Sequence, residues 1–175
     1  RFVNGGQPSL EAQISNLADE VAYNHHDLDD GLRSGLITIE EILDLKAAED
    51  AAKEVLSLRS PKSMDKSRVN SEIIRRMINS QIEDLVDQTK KNVLSSAVTS
   101  LTDVRSSSNQ IVSFSPKTKE NVRELKTFLM RRLYKNPKVK ALTDVAEIVI
   151  EDLFSLFFNE EYSEDKDPIK HLRSV

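Results

Sequence analysis

The chain has 175 residues, a formal charge of −4, 38% apolar and 31% charged residues, and no cysteine. That is one domain of ordinary size, without a disulfide framework, a thiolate metal site or a cysteine nucleophile. Nothing global pulls it toward nucleic acid, and no apolar run approaches the roughly 20 residues of a membrane span. Four glycines and five prolines are too few for a many-turned all-β fold. No signal peptide is visible, so a cytoplasmic location is expected. The chain opens with Arg1 rather than Met, so a piece of something longer is expected.

The first helix is predicted from Ser9, an N-cap with Glu11 in the first turn, to the glycines at 31 and 35. Leu10, Ile14, Leu17, Val21 and Leu28 fall within an arc of about 60° at 100° per residue, an amphipathic stripe expected to face the core. A second helix should open on the capping box Thr38-Ile39-Glu40-Glu41 and run to about Leu58, ahead of Ser60-Pro61. The third and longest is predicted from about Asn70 to Leu101, with Ile73, Ile74, Met77, Ile78, Ile82 and Leu85 keeping a three-four rhythm. A serine-rich connection follows from Ser106 to Pro116, with Ile111 to Phe114 expected to be extended. Ser115-Pro116 starts a fourth helix with proline at its first position. Asn136-Pro137 breaks it, and a fifth should run to about Phe158, before an acidic tail from Asn159 to Asp167. The fold class is all-α, about five helices.

Charge is blocked along the chain: −8 over residues 1–50, +3 over 51–100, +7 over 101–140 and −6 over 141–175. Blocks of opposite sign predict segments that face each other, or neighbouring chains. On the first helix Asp19, Tyr23 and Asp27 are spaced four and four, on the side away from the apolar stripe. Two carboxylates flank an aromatic hydroxyl there, with Asn16, His26 and Asp30 nearby. The acids are two turns apart, about 12 Å at 1.5 Å per residue, too far to share an ion but suited to two parts of one elongated ligand. The plainer reading is the wet side of a surface helix.

Three stretches resemble a known family: Ser9-Leu10-Glu11-Ala12-Gln13, then Asp19-Glu20-Val21-Ala22-Tyr23, then His26-Asp27-Leu28-Asp29-Asp30-Gly31-Leu32-Arg33-Ser34-Gly35-Leu36. They look like the dGTPase-like deoxynucleoside triphosphate triphosphohydrolases, HD-domain enzymes. Val112-Ser113-Phe114-Ser115-Pro116, and Leu125-Lys126-Thr127-Phe128-Leu129 through Leu133-Tyr134-Lys135-Asn136-Pro137-Lys138-Val139, resemble the same family more loosely. The resemblance implies cleavage of a dNTP into a deoxynucleoside and triphosphate by a metal with four ligands: a histidine, a His-Asp pair and a distant aspartate. Asp19 matches that last aspartate. Tyr23 matches a tyrosine packed on the deoxyribose that leaves no room for a 2′-hydroxyl, and Asp27 matches an aspartate that accepts from the 3′-hydroxyl. The first histidine and the His-Asp pair have no counterpart here, and His26-Asp27 is not that pair because it follows the final aspartate.

The expectation is therefore the C-terminal portion of such an enzyme. Residues 1–60 would end the HD core, 61–160 would form a helical region and 161–175 an acidic tail. The chain would hold no complete catalytic set and be inactive alone. It would contribute Asp19 as a ligand to a divalent ion (Mg, Mn or another transition metal) that it does not hold by itself, with Tyr23 and Asp27 binding the dNTP sugar. Arg75 and Arg76 are candidate phosphate contacts, with solvated surface arginines as the plainer reading. The other reading is a non-catalytic helical module: a homo-oligomer face on helices three to five, with the +7 block binding an allosteric nucleotide or single-stranded DNA. No membrane partner is expected.

Overall fold

The computed structural model describes residues 6–58 and 66–158. Among these there are seven α-helices and no strand: α1 Leu10–Arg33, α2 Ile39–Leu43, α3 Lys46–Leu58, α4 Lys66–Ser96, α5 Leu101–Ser106, α6 Pro116–Leu129 and α7 Pro137–Phe158, with a π-helical turn at Met130–Tyr134. The expected five appear as the five long helices, with α2 and α5 as short additions. The chain divides into two compact units, Arg1–Leu133 and Tyr134–Val175. The boundary expected near residue 60 and the acidic tail lie outside the described residues.

The caps behave as their chemistry requires. Ser9 accepts from the Ala12 amide, Thr38 and Glu41 form a reciprocal capping box, and Ser115 accepts from the Thr118 amide with Pro116 at the first helical position. Two helices end otherwise than expected. The second is interrupted between α2 and α3: Leu45 turns inward to 5% exposure, and the Lys46 amide that this turn frees donates to Glu124 of α6 at 3.2 Å. A tertiary contact thus overrides a run with good helix propensity. The third helix stops at Ser96 rather than Leu101, because Ala97 takes a positive φ of 51° and Ser100 with Asp103 caps a new helix. Residues 111–114 are irregular rather than strand, with Ile111, Val112 and Phe114 buried.

In the first unit α4 packs on both α1 and α3, and α1 also packs on α6. One core cluster joins Val21 of α1, Leu85 of α4, Val112 and Phe114 of the connection, and Val122 of α6. The family-like stretch at 112–116 is thus partly a packing motif. Its connection is pinned by polar side chains. Gln13 of α1 accepts the Ile111 and Val112 amides, each at 3.0 Å, and donates to the Pro8 carbonyl at 2.9 Å. Asn92 of α4 donates to the Ile111 carbonyl at 2.8 Å, and Asp84 accepts the Ser115 amide at 2.8 Å. These bonds satisfy the backbone of a segment that has no ladder or helix to do so.

The charge blocks do face each other. Lys126 pairs with Glu20 at 2.9 Å and Lys117 with Asp50 at 3.6 Å, and Arg132 pairs with Glu41. Each joins the acidic first fifty residues to the basic stretch around α6. In the second unit Asn136 caps α7 through the Lys138 amide, at 3.0 Å, and no α7 residue is buried.

Candidate functional site on α1

Helix α1 meets a different environment on each flank. Val21 and Leu28 are buried, as is Gln13, whose bonds tie that side to the 111–112 connection. The expected core stripe holds except at Ile14, which is 47% exposed because it lies at the rim of a groove between α1 and α4. Opposite the core, Asp19 and Tyr23 are exposed and Asp27 is half-buried. The three stand on one continuous helix, so the axial separation of the two carboxylates is about 12 Å. Tyr23, 56% exposed, lies between them on the helix.

The neighbouring acids are engaged elsewhere: Glu20 pairs with Lys126 and Asp29 with Arg33 at 2.8 Å. Asp19 makes no hydrogen bond or ion pair among the described residues, which leaves its carboxylate open to an external cation or donor. Such a cation needs further ligands, and among the described residues no group of three histidines or carboxylates is placed to hold one. His26 is exposed, but His25 beside it is turned into the protein at 2% exposure. The residues present supply a single carboxylate toward a metal shell and do not form that shell.

His25 is the polar group that the pattern of the helix hides. Its Nδ1 donates to the Val21 carbonyl at 2.8 Å, and its Nε2 is buried without a hydrogen-bond partner. Burial pushes its pKa below the usual imidazole value. The signal was its position, about 60° from Leu10 on the helical wheel and so about 20° beyond the edge of the apolar arc.

Arg75 and Arg76 lie on α4, Arg75 in the lining of the groove between α1 and α4, and both face carboxylates. Arg75 pairs with Glu72 at 2.9 Å, while Arg76 pairs with Glu54 at 2.7 Å and with Glu72 at 3.4 Å. The basic stretch around α6 is similarly matched, Lys117, Lys126 and Arg132 by the acidic first fifty residues and Arg123 by Glu120. Among the described residues no helix is long and apolar enough to cross a membrane.

Residues 112–168 match the phosphohydrolase-associated domain. The chain is 46% identical over 157 residues to a deoxyguanosinetriphosphate triphosphohydrolase-like protein of Thiobacillus denitrificans, covering 90% of this chain and 41% of that protein. It is 43% identical to one of Azoarcus sp., with the same two shares, and 38% identical to one of Parvibaculum lavamentivorans, over 86% of this chain and 37% of the relative. The chain thus spans about two-fifths of the length of the curated relatives it matches. With identity at this level along nine-tenths of its residues, the chain is similar to a two-fifths portion of the deoxyguanosinetriphosphate triphosphohydrolase-like proteins.

Proposed function

We propose that the chain furnishes one side of a dNTP triphosphohydrolase site, releasing deoxynucleoside and triphosphate, and that the remaining groups come from the part of the longer protein it does not span. The observation that supports this most is the undivided flank of α1. Asp19 stands at one end, the exposed Tyr23 is in the middle, and Asp27 lies about 12 Å from Asp19. That separation suits a ligand with a phosphate at one end and a sugar hydroxyl at the other. Asp19 would be one ligand of a divalent metal, Mg, Mn or another transition ion, beside the scissile phosphate. Tyr23 would wall the deoxyribose so that a 2′-hydroxyl clashes, a discrimination by exclusion. Asp27 would accept a hydrogen bond from the 3′-hydroxyl. This flank is inactive alone on this reading, since a single carboxylate makes no metal shell.

The test compares dGTP hydrolysis with Mn²⁺ by the 175-residue chain and by a longer protein in which it is joined to the missing part. Turnover is expected only in the longer form, abolished by Asp19→Ala with the helical content unchanged. Tyr23→Ala should admit ribonucleotides, and Asp27→Ala should raise the KM for a substrate bearing a 3′-hydroxyl. Full activity of the Asp19 variant returns the flank to an ordinary wet helix face.

A second reading, an assembly module, draws support from α7. Leu142, Val145, Ile148, Ile150, Phe154, Phe157 and Phe158 are each at least 59% exposed and lie around most of the helix circumference, more uncovered apolar surface than a soluble helix carries. Homo-oligomer formation through α7 would cover it, and a mass measurement across concentration tests this. Binding of an allosteric nucleotide or single-stranded DNA by the basic block, four of whose ten cations already face carboxylates, would be supported by steep weakening with salt.

A further inference from the structure

Beside the Asp19 flank, α1 and α4 bound an apolar groove of about 660 Å³. Ile14 and Ala22 of α1 line one wall and Ile78, Ile82 and Val86 of α4 the other. The three rim residues Ile14, Ile82 and Val86 are 46–48% exposed, so half of each apolar side chain lies uncovered. Lining residues on α1 run from Ile14 to beyond His25, about 16 Å of helix axis or three turns. His26, also in the lining, stands seven residues from Asp19 and within about 20° of it on the helical wheel. The groove ends where the carboxylate-tyrosine flank begins.

We propose that this groove seats an amphipathic helix from the part of the longer protein that the relatives carry and this chain does not span. The proposal rests on the functional reading above in one respect: whatever completes the site over Asp19 and Tyr23 must also meet the rim of the groove. The length for such a body exists, since the chain covers only 41% of the Thiobacillus denitrificans relative. A helix is the fitting shape, because the trough between two packed helices accepts the side-chain ridge of a third.

The sequence has no cysteine, so Ile82→Cys places a single thiol in the groove, and Leu94→Cys places one on the same helix outside it, where Leu94 is 82% exposed. Thiol-labelling rates are read by peptide mass mapping in the 175-residue chain and in a fusion to the unmatched part of the Thiobacillus denitrificans protein. The residue-82 thiol should react at least about 100-fold more slowly in the fusion, and the residue-94 thiol at the same rate in both. Equal rates at residue 82 overturn the proposal. So does protection already present in the 175-residue chain that is lost on dilution, which assigns the groove to a second copy. Should the fusion fail to fold by circular dichroism, cysteines at the aligned positions of the relative itself give the same reading. Asp19→Asn separates the two ideas. A protected groove with undiminished dGTP turnover refutes the functional reading alone, and an unprotected groove with turnover lost in that variant refutes the docking alone.

Discussion

Gln13 makes a sharp test of how the α1 flank is held in place. Its Oε1 accepts two backbone amides from Ile111 and Val112, and its Nε2 donates to the Pro8 carbonyl. The side chain is 3% exposed and Val112 is fully buried, so water does not replace what is lost. In Gln13→Ala two buried N–H groups lose their acceptor at roughly 1–3 kcal/mol each, offset by the few tenths that alanine gains over glutamine in a helix. A destabilisation of about 3 kcal/mol is expected, which in a unit of this size lowers the melting temperature by about 12 °C. Circular dichroism at 222 nm reads the melt, and hydrogen exchange reads the latch directly. The Ile111 and Val112 amides should exchange about 100-fold faster, the kinetic equivalent of that free energy. Asn16→Ala, on the exposed side of the same helix, should change stability by no more than about 0.5 kcal/mol. A Gln13→Ala protein that melts within about 2 °C of the parent, with both amides still protected, refutes the reasoning.

Two further outcomes follow from the packing. Burial holds the folded-state pKa of His25 below its ordinary value, so between those two values the unfolded chain binds more protons. Stability should therefore be complete above about pH 6.5 and fall as the pH drops below it. Glu49, held at about 2 by Lys46 and Lys53, titrates well below the start of that decline. Urea midpoints from pH 8 to 5 should show the slope, flattened in His25→Gln; an unaltered slope assigns it to other groups. Gly31→Ala gains helix propensity, but its methyl would sit 2.5 Å from Ile37 Cδ1 and 3.1 Å from Cγ1, with Ile37 1% exposed. A net loss of about 1 kcal/mol is expected. Ile37→Val, which lacks that Cδ1, should recover part of it in the double variant, and strict additivity would place the cost elsewhere.

The helix ends were legible wherever one residue's own chemistry decides them: Ser9, the Thr38–Glu41 box, Ser115-Pro116 and Asn136-Pro137. The break at Asp44–Leu45 was not, because the groups that hold it are the buried Leu45 side chain and Glu124, 78 residues from the amide it accepts. The end of α4 carried a readable sign that the apolar rhythm obscured, the Ser100–Asp103 box. At the candidate site the spacing of Asp19, Tyr23 and Asp27 was legible, and so was their side of the helix. The inward turn of His25 could have been read from the wheel. The exposure of Ile14 could not, since a wheel shows an apolar arc and not how far the neighbouring helix reaches across it.

The Gln13 latch also bears on synthesis. Its two acceptor bonds close over 98 and 99 residues, and a ribosome adds roughly 5–20 residues per second. For roughly 5–20 s after Gln13 is made, the nascent first helix has neither its clasp nor the Val112 and Phe114 side chains that Val21 packs against. The segment that carries Asp19, Tyr23 and Asp27 is translated ahead of the residues that clasp it, and it gains its final setting only after most of the first unit has been polymerised.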